Sequence, residues 1–225
     1  MIVNWERMMR AKVIAWLAML GVPGPAVAAA CAPPAGYSKA PPPAPLPVER
    51  LVSRVETTRI KAPLSVVVAS IAETKLEDAI PRQKNLPSVT GTRLLTPGAF
   101  DFPGARRIVC LSDGSTLMEQ LLENRASATE ARFRYIVWNY TSATARPISY
   151  AVGDFVRTQL PTGETHVRWT YAFKMNRTRL PGVLGFVGDQ FFRWWFLDGD
   201  YAQMMRATLA ADKQRAEKRA SIGRP

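Results

Sequence analysis

Between Gly182 and Ala220 one stripe of apolar side chains recurs at three- and four-residue steps. It runs through Trp194, Leu197, Tyr201, Met204, Met205, Thr208 and Leu209. That spacing places them on one side of an α-helix and predicts a single long helix near the C-terminus. After Leu209 the segment Ala210–Ala220 is mixed charge on an alanine background, as expected of a helix end leaving its core. Several alternating, strand-like runs lie upstream, and they too need something to cover their inner faces. One amphipathic helix laid across a curved antiparallel sheet satisfies both requirements, so the expected class is α+β.

The 225-residue chain has room for one sizeable domain plus appendages, and 47% hydrophobic with 21% charged residues is the composition of a folded protein. The formal net charge of +12 stays clearly positive when Arg7, Arg10, Lys12 and Glu6 of the first thirty residues are set aside. Such an excess suits an anionic partner in general. The basic residues are scattered, however, and no nucleic-acid motif occurs, so no nucleic-acid partner is expected. With two cysteines, Cys31 and Cys110, and one histidine, His166, the sequence has no metal-ligand cluster. Neither a metal nor any other cofactor is expected. Cys110 sits in an alternating run and reads as a small core residue. A Cys31–Cys110 disulfide is the less favoured alternative, because Cys31 has another explanation.

That explanation is export. Arg7, Arg10 and Lys12 precede the apolar run Val13–Val22, a Pro23-Gly24-Pro25 break and the small residues Ala26–Ala30. This is the layout of a signal peptide over residues 1–31. Its apolar core is about 10 residues, short of the roughly 20 that a membrane-spanning helix needs. Ala28-Ala29-Ala30-Cys31 is similar to a bacterial lipoprotein processing site, which would make Cys31 the lipidated N-terminus, although Ala28 stands where leucine is usual. Ordinary cleavage after an Ala-x-Ala triplet fits as well. Either route makes the mature protein periplasmic, membrane-tethered or secreted. Residues 32–48 follow as a linker, with seven of the 18 prolines between Ala32 and Pro47. An extended, semi-rigid spacer is expected there.

The folded domain should span residues 49–220, leaving 221–225 as a tail. Val52–Ile60 alternates and leads through Lys61-Ala62-Pro63 into two short helices, Leu64–Ala72 and Lys75–Ile80. Further strands are expected at Val89–Leu95, Ala105–Ser112, Ser115–Leu122, Ala131–Asn139, Ile148–Gln159 and Thr165–Met175. Asp113-Gly114 marks a hairpin and Pro161-Thr162-Gly163 a turn. Tight connections between successive strands make the sheet antiparallel.

Thr165–Met175 alternates most cleanly: Val167, Trp169, Tyr171, Phe173 and Met175 share one face. Phe133, Tyr135 and Val137 oppose Arg132 and Arg134, while Ile136 and Trp138 disturb that strand's outer face. Ile148, Tyr150, Val152 and Val156 share a face with Asp154, whose plainer explanation is a strand end near Gly153. The inward faces are rich in aromatics with polar tips, which favours a lined cavity over a solid aliphatic core.

The order of these elements resembles the START-like family, also called the SRPBCC or helix-grip superfamily, over about Leu51–Ala220. The likeness rests on the strand with Ala62-Pro63 before short helices, on the Arg107–Glu119 hairpin, and on Gly163–Phe173 as the last strand before a gripping helix. It implies a curved antiparallel sheet of six or seven strands wrapped around the C-terminal helix, with a hydrophobic cavity between them. Members bind lipids, sterols, polyketides or other apolar molecules, and a minority are enzymes. No catalytic motif of the family matches here.

Individual candidates for chemistry are weak. His166 points outward and has no Ser or Cys nucleophile beside it. Glu73 and Glu77 read as a solvated helix face, and Arg132 and Arg134 as exposed strand residues. Phe192, Trp195 and Phe196 fall off the helix stripe and form either core or the mouth of a cavity. The expected ligand-lining residues are Phe133, Tyr135, Tyr150, Trp169, Tyr171, Phe173, Trp194 and Tyr201. The function expected is an exported carrier for a lipid or other apolar small molecule, with a membrane surface as a second partner. A polyketide cyclase or dehydratase using the same cavity, and a filled envelope interaction module without ligand, are the alternatives.

Overall fold

A computed structural model describes Cys31 and residues 33–222. The export segment ahead of Cys31 therefore lies outside the described residues. Seven antiparallel strands form one sheet: β1 (Val52–Ile60), β2 (Val89–Leu94), β3 (Arg106–Leu111), β4 (Thr116–Ala126), β5 (Glu130–Trp138), β6 (Ile148–Gln159) and β7 (Thr165–Met175). Their spatial order is β1-β7-β6-β5-β4-β3-β2, so β2 to β7 form a meander and β1 closes the far edge beside β7. The β1–β7 register sets Val52 opposite Phe173 and Ile60 opposite Thr165.

After β1 the chain turns at Ala62-Pro63 into helices α1 (Leu64–Ala72) and α2 (Leu76–Ala79). Thr165 Oγ1 donates to Ala62 O at 2.8 Å, and Leu64 N–H donates to Gln159 Oε1 at 2.7 Å. The second bond satisfies one of the amides that the start of α1 leaves without a helical partner. At the β3–β4 turn Gly114 has φ 78°, a left-handed conformation suited to glycine, and Asp113 Oδ1 accepts from Ser115 N–H at 3.0 Å.

The concave face carries the alternation expected of β7: Val167, Trp169, Tyr171, Phe173 and Met175 are all buried in the main core. Phe133, Tyr135 and Val137 of β5 face the same way. Tyr135 leans so closely over β6 that a Cβ on Gly153 would meet its Cζ at 2.2 Å. Gly153 therefore lets an aromatic ring cross the next strand and does not end it. β6 runs unbroken to Gln159.

The convex face is also covered, which corrects three expectations. Residues 33–47 are not a free spacer. Tyr37 is buried against Ile108, Met118, Ile136, Trp138 and Val152, and its hydroxyl donates to Asn139 O. Leu46 N–H donates to Tyr150 Oη at 2.9 Å, and Arg106 donates to Ala40 O at 2.8 Å while lying over the Trp138 ring. Cys31 is joined to Cys110 by a disulfide, with Cα atoms 5.4 Å apart. Cys110 is thus a cross-link and not simply a small core residue. This cover explains why Ile136 and Trp138 are apolar on an outer face. Asp154 lies on that face too, held by Arg132 through bonds of 3.0 and 2.7 Å.

The C-terminal helical region starts at Phe186 and is interrupted. Helix α3 (Phe186–Phe192) passes into a wider π-type segment, Arg193–Tyr201, and then into α4 (Ala202–Ile222). Gly199 has non-helical torsions, φ −92° and ψ −110°. The π-type turns change the helical phase that the sequence stripe assumed. Leu197, Met204, Met205, Thr208 and Leu209 are buried, whereas Trp194 is 71% exposed. Phe192 takes the inward position instead, at 4% exposure.

Two measurements check this arrangement. Replacing Cys110 by alanine opens a 79-residue loop and should cost about 2–4 kcal/mol of stability. A thermal melt should show the same drop for the wild type under strong reductant. Gly153→Ala forces Tyr135 to move and should cost about 1–3 kcal/mol. Tyr135→Leu in the same chain should recover part of that loss in denaturant titrations.

Candidate functional site

Sheet and helix do not meet along their whole length. Between them lies a cavity of about 970 Å³, open on one side. β5, β6 and β7 supply one wall, with Phe133, Tyr135, Phe155, Trp169, Tyr171 and Phe173. Phe192, Phe196, Tyr201, Met204 and Thr208 form the opposite wall, and Ile71, Leu76, Ile80 and Leu86 bound it near the short helices. The size is within the range of small-molecule sites.

The rings form a connected wall. Tyr171 is central, with centroid distances of 6.1 Å to Tyr135, 5.9 Å to Trp169, 5.1 Å to Phe173 and 4.9 Å to Tyr201. Three of these contacts are edge-to-face, the arrangement favoured by aromatic quadrupoles. Burial raises the hydroxyl pKa of Tyr135, Tyr140, Tyr171 and Tyr201, so each keeps its proton at neutral pH. The wall is therefore apolar in area, with hydroxyl groups that can orient a ligand.

Charged groups are set into the same wall. Glu119 accepts from Arg107 Nε at 2.5 Å, and the two side chains are only 7% and 14% exposed. The guanidinium of Arg107 also lies over Phe100, 3.9 Å from its centroid. At the α4 end, buried Arg157 lies over Phe155 at 4.8 Å, and Phe155 is stacked on Trp169 at 4.5 Å. Asp212 of α4 is nearby and accepts from Arg215 at 2.6 Å. Desolvation raises the Asp212 pKa, with Arg215 and Arg157 opposing it.

Six of the eight expected lining residues are on the cavity wall: Phe133, Tyr135, Trp169, Tyr171, Phe173 and Tyr201. Tyr150 is on the convex face among Tyr37, Trp138 and Cys110. The reason is an irregularity where β6 meets β7: their register shifts between Ile148 and Tyr150, so residues flanking it do not keep one parity. Beyond the shift Ala151, Gly153, Phe155 and Arg157 face inward. Trp194 lies outside because the π-type turns of Arg193–Tyr201 bring Phe192, five residues before Leu197, onto the inward side instead. Arg107, Glu119, Arg157 and Asp212 were not anticipated; the pairing of Phe155 opposite Trp169 was the signal for Arg157. His166 follows the outward phase of β7, and Glu73 bonds Arg219 at the surface.

Beside the opening the chain projects an apolar surface. Leu180, Val183, Leu184, Phe186 and Val187 are each more than half exposed, as are Trp194 and Trp195. Trp195 and Phe191 also border the cavity, so the outer patch and the interior are continuous. Of the three off-stripe aromatics, Phe192 is core, Phe196 is half-buried, and Trp195 is at the mouth.

The sequence matches no protein-family model and no curated protein. Solved structures do match in fold. The Zhui aromatase/cyclase from a Streptomyces species aligns at 18% identity over 74% of this chain and 94% of that one, with a TM-score of 0.53. The di-domain ARO/CYC StfQ from the steffimycin biosynthetic pathway aligns at 14% identity over 77% of this chain and 53% of that one, also at 0.53. Ara h 8.0201 aligns at 11% identity over 73% and 96%, with a TM-score of 0.50. At these identities the likeness is one of architecture, and the chain has a helix-grip fold.

Proposed function

We propose that this protein is an exported carrier that holds an apolar small molecule, a lipid being the leading class, between its sheet and its C-terminal helix. The observation that carries the reading is the 970 Å³ cavity lined by aromatic and aliphatic side chains. Burying a ligand there removes its apolar surface from water at roughly 25 cal/mol per Å². The tyrosine hydroxyls supply orientation at little cost in affinity.

The exposed Leu180–Trp195 surface supports a membrane as the place of exchange. Large contiguous apolar patches mark interaction sites, and tryptophan suits the bilayer interface. The net charge of +12 favours an anionic lipid surface. A ligand could then pass from bilayer to cavity past Phe191 and Trp195 without crossing water. Among the described residues no helix is long and apolar enough to cross a membrane, which fits contact from one side.

Export is supported by the signal-like residues 1–31 and by the Cys31–Cys110 disulfide, a bond typical of oxidising compartments. One sulfur cannot carry both a disulfide and a thioether-linked lipid. The reading therefore favours ordinary cleavage ahead of Cys31 over lipidation at it. The cyclase alternative finds less support: the Glu119 carboxylate is already engaged by Arg107, and His166 is on the outer phase of β7.

Narrowing the cavity tests the carrier. Leu117→Trp on the β4 wall should weaken binding of an apolar naphthalene dye about tenfold while shifting the melting temperature by only a few degrees. Unchanged dye binding would place the site elsewhere. Trp194→Ala with Phe186→Ala should lower partitioning onto vesicles containing phosphatidylglycerol by about tenfold or more, with dye binding in solution preserved. Sedimentation with vesicles reads this directly.

A further inference from the structure

Arg157 has no ordinary structural explanation. It lies on β6 in the cavity wall and is only 6% exposed. No hydrogen bond or ion pair to its guanidinium occurs among the described residues, and Nε is buried without any partner. The guanidinium lies over the face of Phe155, 4.8 Å from its centroid. A buried guanidinium carries five donors and a charge, and leaving them unused is costly unless something else engages them. Trp169, whose ring is stacked against Phe155, directs its Nε1 toward the Tyr135 hydroxyl instead, so Arg157 is the unmatched group here.

The charged groups facing this point do not cancel it. Asp212 on α4 is within electrostatic reach but is engaged by Arg215 at 2.6 Å, so Arg157, Asp212 and Arg215 together leave one positive charge in excess. Tyr135, the other titratable group that acts on Arg157, keeps its proton. Burial lowers the Arg157 pKa to about 10, so the guanidinium remains charged at neutral pH. The surroundings thus combine an apolar chamber with one uncompensated cation in its wall.

We propose that the natural ligand is an amphipathic anion, a hydrocarbon bearing a carboxylate, whose head group is held by Arg157 and whose tail lies along the aromatic wall. This rests on the carrier reading and names the ligand class for it. A carboxylate is planar and matches the guanidinium fork through two parallel hydrogen bonds. The tail then extends past Tyr171 and Phe173 toward the opening at Phe191 and Trp195, so the polar end enters first and the apolar end lies nearest the membrane-facing patch.

The test compares dodecanoate with dodecanol, which differ at the head group, by displacement of the naphthalene dye at pH 7. Wild-type protein should prefer dodecanoate by about ten- to a hundredfold, the value of hydrogen bonds to a charged group. Arg157→Met keeps the side-chain length without the charge. It should bind dodecanol as the wild type does and lose the preference to within about threefold, with a melting temperature equal to or above the wild type's. Arg157→Lys should retain part of the preference. Equal wild-type affinity for the two probes would overturn the assignment of Arg157 while leaving the carrier intact. Binding of neither probe would overturn both. Loss of both probes together with a lower melting temperature in Arg157→Met would make Arg157 a structural residue and also reject the proposal.

Discussion

A seven-stranded sheet that is apolar on both faces must be covered twice, and this chain uses different material for each side. On the concave face the cover is α4 and the segment before it, held away from the strands by bulky rings so that a chamber remains. On the convex face it is a short irregular stretch from Cys31 to Pro47, with Tyr37 as its main buried group and the Cys110 disulfide as its anchor. Without the second cover Trp138, Ile136 and Tyr150 would be open to water. The aromatic wall could hardly keep its shape on a sheet whose back was unprotected.

Much of the architecture was legible because strands with one strong face announce their period. Val52–Ile60, Leu64–Ala72, Ile148–Gln159 and Thr165–Met175 were bounded correctly from alternation, prolines and glycines alone. The resemblance to helix-grip proteins supplied the way the pieces close. What remained hidden has specific causes. A proline-rich segment has no periodicity, so nothing local distinguishes a free spacer from one pinned through Tyr37. The phase of β6 could not be followed across its register shift, which exchanged Tyr150 for Phe155 and Arg157 as wall residues. The π-type turns over Arg193–Tyr201, broken at Gly199, interrupt a stripe that otherwise reads as continuous, and they leave Trp194 outward.

The cavity's polar groups fall into two kinds. Glu119 and Arg107 satisfy each other, so they shape the wall without needing anything from outside. Arg157 is different: its guanidinium has no hydrogen-bond or ion-pair partner among the described residues, whereas Arg106, the other buried arginine with an unmatched Nε, still donates to Ala40 O on the convex face. An unmatched charge that faces a cavity is the arrangement that a bound molecule can complete.

The pairing of β1 with β7 has a bearing on how the chain is made. Val52 finds its neighbour in Phe173, more than a hundred residues later. Emerging from the ribosome, the opening strand can have no partner on its sheet edge until nearly the whole polypeptide has been synthesised. Such distant matching makes folding slow compared with helical bundles of similar size, and the nascent protein stays loosely structured for as long as its final strand is missing.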